Sequence, residues 1–172
     1  MEYVVLVDEQ DKEMGTMEKL QAHEEGRLHR AISVFIFNTR GEMLLQQRAA
    51  GKYHSALLWT NACCSHPRPG ERVADAAHRR LQEEMGMNCL LNEAFSFTYK
   101  AELEHGLTEH EYDHVFTGIT DAHPALNPTE AAAWRYTGIT ELQDDIAEQP
   151  GLYTEWFKIC IKEHVAKLQP RN

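Results

Sequence analysis

The chain has 172 residues, 42% of them hydrophobic and 26% charged, with a formal net charge of −10 at pH 7. That length suits one domain spanning the whole chain, with enough core to fold without disulfides, and the composition excludes disorder as the default state. The acidic balance excludes a general nucleic-acid binder, whose affinity rests on clustered cations, but not a small phosphorylated ligand held by a few local lysines and arginines. Taken in order, Val4 to Val7 reads as a short strand. Ala31 to Phe37 (AISVFIF) is β-branched and aromatic, Asn38-Thr39-Arg40-Gly41 supplies turn residues, and Glu42 to Arg48 (EMLLQQR) follows, so the pair is expected to form a β-hairpin. Glu71 to Met85 has the composition of a helix stopped by Gly86, with Ala74, Ala77, Leu81 and Met85 as its core stripe. Ala94 to Lys100 and Glu111 to Ile119 are further strands, and Trp134 to Thr137 a short one. Ile139 to Glu148 reads as a helix and Tyr153 to Leu168 as a longer amphipathic helix. Strands outnumber helices and do not alternate with them in regular βαβ order. An α+β fold is expected, a mixed sheet flanked by helices.

No apolar run approaches bilayer length, and Met1-Glu2-Tyr3 lacks the basic start and apolar stretch of a signal peptide. We therefore expect no membrane attachment and a cytoplasmic location. Cys63, Cys64, Cys89 and Cys160 include no CxxC pair and are expected to be reduced. Ten histidines hint at a metal, though a count alone establishes none.

The most informative stretch runs from Trp59 to Met87, WTNACCSHPRPGERVADAAHRRLQEEMGM. Its second half resembles the Nudix box, the pattern G-x5-E-x7-R-E-U-x-E-E-x-G-U with U apolar. Glu71, Arg79, Leu81, Glu83, Glu84, Gly86 and Met87 fall on matching positions. Two positions depart: Ser65 stands in place of the first Gly, and Arg80 in place of the Glu of the R-E pair. In a Nudix hydrolase the box glutamates gather divalent cations that hold a diphosphate and help activate water. Exchanging one of them for Arg80 removes a ligand and adds a cation. Arg80 and Glu84, four apart, share a helix face that can offer a guanidinium to phosphate and a carboxylate to Mg²⁺. The box reads as converted from cleaving a diphosphate to holding one, with a plain amphipathic helix laced by ion pairs as the alternative.

TNACCSHP, ahead of this altered box, is similar to type I isopentenyl-diphosphate isomerases, which share the Nudix fold. The resemblance extends through GTMEKLQAH, RLHRA, QQRAAGKYH, FTYKAEL, TEHEYDHVF and TEWF, nearly the whole chain. It implies a 1,3-allylic shift from isopentenyl to dimethylallyl diphosphate. An unactivated alkene is a poor base, so such an enzyme needs a strong acid at one carbon, a base at another and stabilisation for the cation between them. By resemblance Cys64 exchanges a proton on one face of the allyl unit, and an unperturbed thiol pKa of about 8.5 lies near enough to neutrality to cycle. Cys63 is left structural. Glu111 is implied as the second acid/base, with Tyr99 beside it. His23, His29, His66, Glu109 and Glu111 are implied to hold a divalent metal (Mn²⁺, Zn²⁺ or Mg²⁺), and Glu109 and Glu111 share a face if they lie on a strand. Lys19, Arg48, Lys52 and Arg80 are implied to hold the diphosphate, aided by Mg²⁺ on Glu84 and the Cys64 backbone carbonyl. Trp156 would face the developing cation, and Trp59 lines the same pocket or the core.

Each residue also has a plainer reading: a buried small hydrophobe for Cys64, strand-surface residues for Glu111 and Tyr99, surface positions for the histidines and lysines. His105, His110 and His114 carry no assignment. Two other classes stay open beside the isomerase, a Nudix hydrolase of a nucleoside diphosphate derivative and a silent Nudix-fold binding module. The small-molecule diphosphate is the expected partner, and the oligomeric state is open.

Overall fold

The computed structural model describes residues 1–169. Its central strand is β3 (His29–Phe37), buried almost throughout, which is why its sequence is a near-continuous apolar run rather than an alternating one. Ile32, Val34 and Ile36 pack toward helix α2 (Val73–Met85) with Ala76, Ala77, Leu81 and Met85. Phe35 and Phe37 pack on the other side with Leu142 of α3 (Ile139–Glu148) and Phe157, Cys160 and Ile161 of α4 (Glu155–Leu168). Each Val, Leu, Ile, Phe or Met side chain among these, fully buried, contributes about 1.5–3 kcal/mol of transfer free energy.

Among the described residues nine strands form one mixed sheet. β3 runs parallel to β8 (Thr108–Ile119), and β8 pairs antiparallel with β7 (Leu91–Glu102). On its other side β3 takes β6 (Cys63–Ser65) and, at its start, β1 (Tyr3–Val7), which pairs with β2 (Glu13–Glu18). β4 (Met43–Arg48) carries β5 (Trp59–Thr60) and β9 (Ala131–Thr137). The short helix α1 (Lys19–Glu24) follows β2. Among the described residues no helix is long and apolar enough to cross a membrane.

The expected α+β class, the helices and most strands are present, with shifted ends. The hairpin is a correction. Its turn forms, with Gly41 at φ +78° and Asn38 N–H donating to Glu42 O at 3.0 Å, but β3 and β4 pair only at Phe37↔Met43 and then part. Both strands find longer partners elsewhere in the sheet, and the turn serves only to turn the chain. The helix expected from Glu71 begins at Val73, because Glu71 is taken up before the helix: its Oε2 accepts the Arg68 N–H at 2.8 Å. Of the expected stripe, Ala77, Leu81 and Met85 are fully buried while Ala74 is only half-buried and Ala76 replaces it in the core. Gly86 ends α2 as expected, at φ +61°, where a Cβ would stand 2.4 Å from the Ala125 carbonyl oxygen.

Candidate active site

Strand register builds the centre of the site. His29 of β3 pairs with Glu111 of β8, and Glu111 pairs with Tyr99 of β7, so three reactive side chains stand abreast on adjacent strands. Period-two alternation adds Glu109 and Asp113 to the same side as Glu111, and all are buried. Tyr99 Oη lies 2.6 Å from Glu111 Oε2 and 3.0 Å from Glu109 Oε2. Burial, then the charge of Glu111, pushes the Glu109 carboxyl well above its usual range. Burial acts the same way on Glu111, but contact with the His29 and His66 rings outweighs it and holds that carboxyl well below. Burial and the two carboxylates together push the Tyr99 phenol up.

The imidazoles converge on Glu111. His66 Nε2 is 2.9 Å from Glu111 Oε1 and 3.2 Å from His29 Nε2, which itself lies 3.4 Å from the same oxygen. His23 arrives from α1, whose first turn is capped by Glu18 accepting the Gln21 N–H at 2.9 Å. One ligand atom from each of His23, His29, His66 and Glu111 lies within 4.8 Å of the others. The proton arrangement fits a cation. A carbonyl can only accept, so Nδ1 of His23 donates to Lys19 O at 2.7 Å and Nδ1 of His29 to Arg27 O at 2.8 Å. When neutral, each of these rings would turn an Nε2 lone pair inward, and His23 Nε2 is buried without a partner. A proton on His66 Nε2 can serve His29 or Glu111 but not both, whereas a divalent cation satisfies all four donors. Burial lowers His23 and brings His66 down to about 4, which keeps both rings in the neutral form that coordinates. Glu109 stands outside this foursome and joins it through Tyr99.

Cys64 reaches the site by strand alternation. β6 sends Cys63 into the core beneath α2 and Cys64 to the opposite face. Its Sγ is 3.0 Å from Asn61 Oδ1 and 3.3 Å from Ser33 Oγ. Burial, then the neighbouring Asp113, pushes the thiol well above its usual range. Burial thus favours the thiol over the thiolate at Cys64, where an unperturbed thiol would lie nearer to neutrality.

One cavity is lined by Cys64, His23, His66, Tyr99, Glu109 and Glu111, and equally by Lys19, Arg48, Lys52, Arg80, Glu84 and Trp156. His29 lies behind this lining, fully buried. The cations have protein partners: Lys19 Nζ is 3.0 Å from Glu2, Lys52 contacts Glu130, and Arg80 holds Glu83 at 2.6 Å, Glu84 at 2.7 Å and Glu130 at 3.4 Å. Nε of Arg48 and of Arg80 is buried without a partner, a donor left for an anion. Arg48 also stacks its guanidinium 5.2 Å from the Trp156 ring centroid. Glu84 Oε2 accepts from Gln46 Nε2 at 3.0 Å, and Glu84 stands apart from the histidine group. Trp59 packs on the core under Arg135, 4.7 Å from its ring, and does not line the cavity.

Several residues at the site escaped sequence reading. His54 lines the cavity, edge-on to Trp156 at 5.9 Å, and burial pushes its imidazole down to about 3; it lay inside the QQRAAGKYH segment. Asp113 continues the alternation of Glu109 and Glu111, a signal that was available. Asn61 lay inside the TNACCSHP segment, three residues from Cys64, while Ser33 and Glu130 had no signal, since their partners lie far away in sequence. His105, His110 and His114 do not line the cavity; His114 sits instead between Glu93 (2.6 Å) and Asp11 (2.9 Å).

Residues 27–157 match the NUDIX domain family. An isopentenyl-diphosphate Delta-isomerase 2 from Aromatoleum aromaticum is 53% identical over 158 residues, covering 92% of this chain and 84% of that one. An isopentenyl-diphosphate Delta-isomerase from Pectobacterium atrosepticum is also 53% identical, covering 91% and 87%. The chain belongs to the isopentenyl-diphosphate Delta-isomerase family of Nudix proteins. Solved structures share the fold at low identity: DR0079 from Deinococcus radiodurans superposes with a TM-score of 0.77 at 18% identity, covering 95% of this chain and 99% of that one. A MutT protein from Methanosarcina mazei Go1 gives 0.66 at 17%, covering 83% and 96%. The altered box has a clear local arrangement. Arg79 grips Glu71 through two bonds of 2.7 and 2.8 Å, and Arg80 engages the carboxylates of Glu83, Glu84 and Glu130.

Proposed function

We propose that the chain converts isopentenyl diphosphate to dimethylallyl diphosphate by a 1,3-allylic proton shift, the reaction for which its relatives are named. The observation that carries this reading is that one cavity collects Cys64, the Tyr99–Glu111 pair and the cations Lys19, Arg48, Lys52 and Arg80. In the reaction a proton adds to the terminal methylene carbon, leaving a tertiary cation, and a second proton leaves the carbon on the diphosphate side. Composition is unchanged. Cys64 and Glu111, the latter through Tyr99, exchange protons with the substrate at these two carbons. Trp156 offers its ring to the cation, and the four basic side chains hold the diphosphate so that the hydrocarbon end lies toward the thiol.

His23, His29, His66 and Glu111, with Glu109 through Tyr99, would hold a divalent ion (Mn²⁺, Zn²⁺ or Mg²⁺) whose charge makes the Glu111 carboxyl and Tyr99 hydroxyl more acidic. Glu84, with the Cys64 backbone carbonyl, would hold Mg²⁺ against the diphosphate charge. The engagement of Arg80 by the box carboxylates supports holding a diphosphate over cleaving it. A free Cys64 thiol suits a reducing, cytoplasmic setting, and the shared sheet suits one domain. Incubation with isopentenyl diphosphate, followed by NMR, tests the reading: dimethylallyl diphosphate without released phosphate is expected. Released phosphate would make the chain a hydrolase, and unchanged substrate a binding module.

A further inference from the structure

Behind Cys64 a line of buried polar side chains crosses three strands. Cys64 pairs with Ser33 between β6 and β3, and Asp113 stands on β8 at the other side of Ser33. Ser33 is 5% exposed and Asp113 3%, and neither lines the cavity. The Ser33 hydroxyl donates to Asp113 Oδ2 at 2.6 Å. With its one proton committed there, the Ser33 oxygen stands 3.3 Å from Cys64 Sγ as one of two acceptors, with Asn61 Oδ1, between which the single thiol proton is held. Asn61 closes the other side. Its Nδ2 donates to the carbonyls of Val34 (3.0 Å) and Cys63 (2.9 Å), which fixes the amide orientation and leaves Oδ1 to the sulfur at 3.0 Å.

Asp113 Oδ1 is buried without a partner. Burying a carboxyl group with one oxygen unmatched is costly, and an apolar residue would fill the layer more cheaply. The oxygen in use, which orients Ser33, is therefore what the position supplies. We propose that Ser33, held by Asp113, is a positioning residue that fixes the Cys64 thiol, together with Asn61, in the rotamer that faces the cavity. A cysteine side chain otherwise divides among staggered wells, and a reacting atom displaced by about 1 Å can cost two orders of magnitude in rate. The role rests on the isomerase reading of Cys64.

The test is steady-state kinetics on isopentenyl diphosphate, with thermal unfolding of each variant as control. Ser33→Ala, which removes a single oxygen, should lower kcat roughly 10- to 100-fold with KM within about twofold. Ser33→Thr should recover most of that turnover. Asp113→Leu should behave like Ser33→Ala, and Asp113→Asn, which keeps an acceptor oxygen, should recover most of the loss. Full kcat in Ser33→Ala overturns the proposal, as does a Ser33→Ala defect that follows lost thermal stability and is not rescued by Thr. Equal damage in Asp113→Asn and Asp113→Leu also overturns it, because acceptor geometry is then not what Asp113 provides. If Asp113→Leu does not fold, the Ser33 pair decides alone. Cys64→Ala serves as the separate control: retained turnover there would sink the isomerase reading of Cys64 itself.

Discussion

Cys63 and Cys64 are neighbours in sequence and lie on opposite faces of the same strand. Cys63 is fully buried among Ile32, Val34, Ala77 and Leu81, while Cys64 borders the cavity between Ser33 and Asn61. Cys64→Ala should abolish isomerisation and leave the fold intact, whereas Cys63→Ala should keep most of the activity and lose about 1 kcal/mol or less of stability through the small cavity. Turnover assays with urea unfolding check this, and the reverse pattern would exchange the two assignments. The histidines offer a second test at the same scale. His23→Ala, and likewise His29→Ala, His66→Ala or Glu111→Gln, should lower metal content by elemental analysis together with the rate. Full metal occupancy and full activity in His23→Ala would take that residue out of the site. Cys64 stood out in the sequence because it lies in a contiguous motif. Ser33 did not, because a serine in an apolar strand acquires a role only when β6 is laid against β3, and Asn61, inside the same motif as Cys64, shows its contact with the sulfur only in the fold.

At the scale of the element, α2 shows how a motif becomes a scaffold. Glu71 precedes the helix and Arg79 lies two turns into it, yet the two-bond grip ties the entry loop to the helix. The hydrogen bonds from Arg79 hold the Glu71 carboxyl below its usual value of 4.5, against the opposing effect of burial. A carboxyl lowered by folding stabilises the protein above its unfolded pKa and loses that contribution as pH falls through the folded one. Glu71→Gln should therefore cost about 1 kcal/mol at pH 7, allowing for solvent screening. The gap from the parent protein should narrow as pH falls below about 4.5. Urea unfolding at pH 7 and at pH 3.5 measures it; an equal gap at both would show that charge plays no part. Helix α2 was legible because its 3.6-residue periodicity is local. β5 and β6, of two and three residues, were not, since strands that short exist only through their partners β4 and β3.

Over the whole molecule, a chain of net charge −10 builds a cationic pocket by drawing its basic residues from separate elements. Lys19 comes from α1, Arg48 from β4, Lys52 from the loop after it and Arg80 from α2, with Glu130, just before β9, bridging the last two. Arg80→Ala should weaken pyrophosphate and substrate binding by about 1.5–3 kcal/mol, one to two orders of magnitude in Kd by calorimetry. It should also lower stability, because Glu84, 4% exposed, loses the cation paired with it at 2.7 Å. Unchanged pyrophosphate affinity would make Arg80 a structural partner of the box carboxylates and nothing more.

The sequence by itself determined the α+β class, the altered Nudix box with Arg80, the candidate thiol of Cys64 beside it and, through segments spread along the chain, the isomerase family. These are carried by residue identity and short spacing, which survive without coordinates. The tertiary structure decided that the β3–β4 turn makes no long hairpin. It also decided that Tyr99 bridges Glu109 and Glu111, that the Glu111 carboxyl is held well below its usual range while the Cys64 thiol is pushed well above, and that Ser33 and Asp113 stand behind the thiol. Each of those depends on non-local strand register and on burial. A protonation state is a property of the surroundings of a group, and those surroundings come into being only when β3, β6, β7 and β8 are laid side by side.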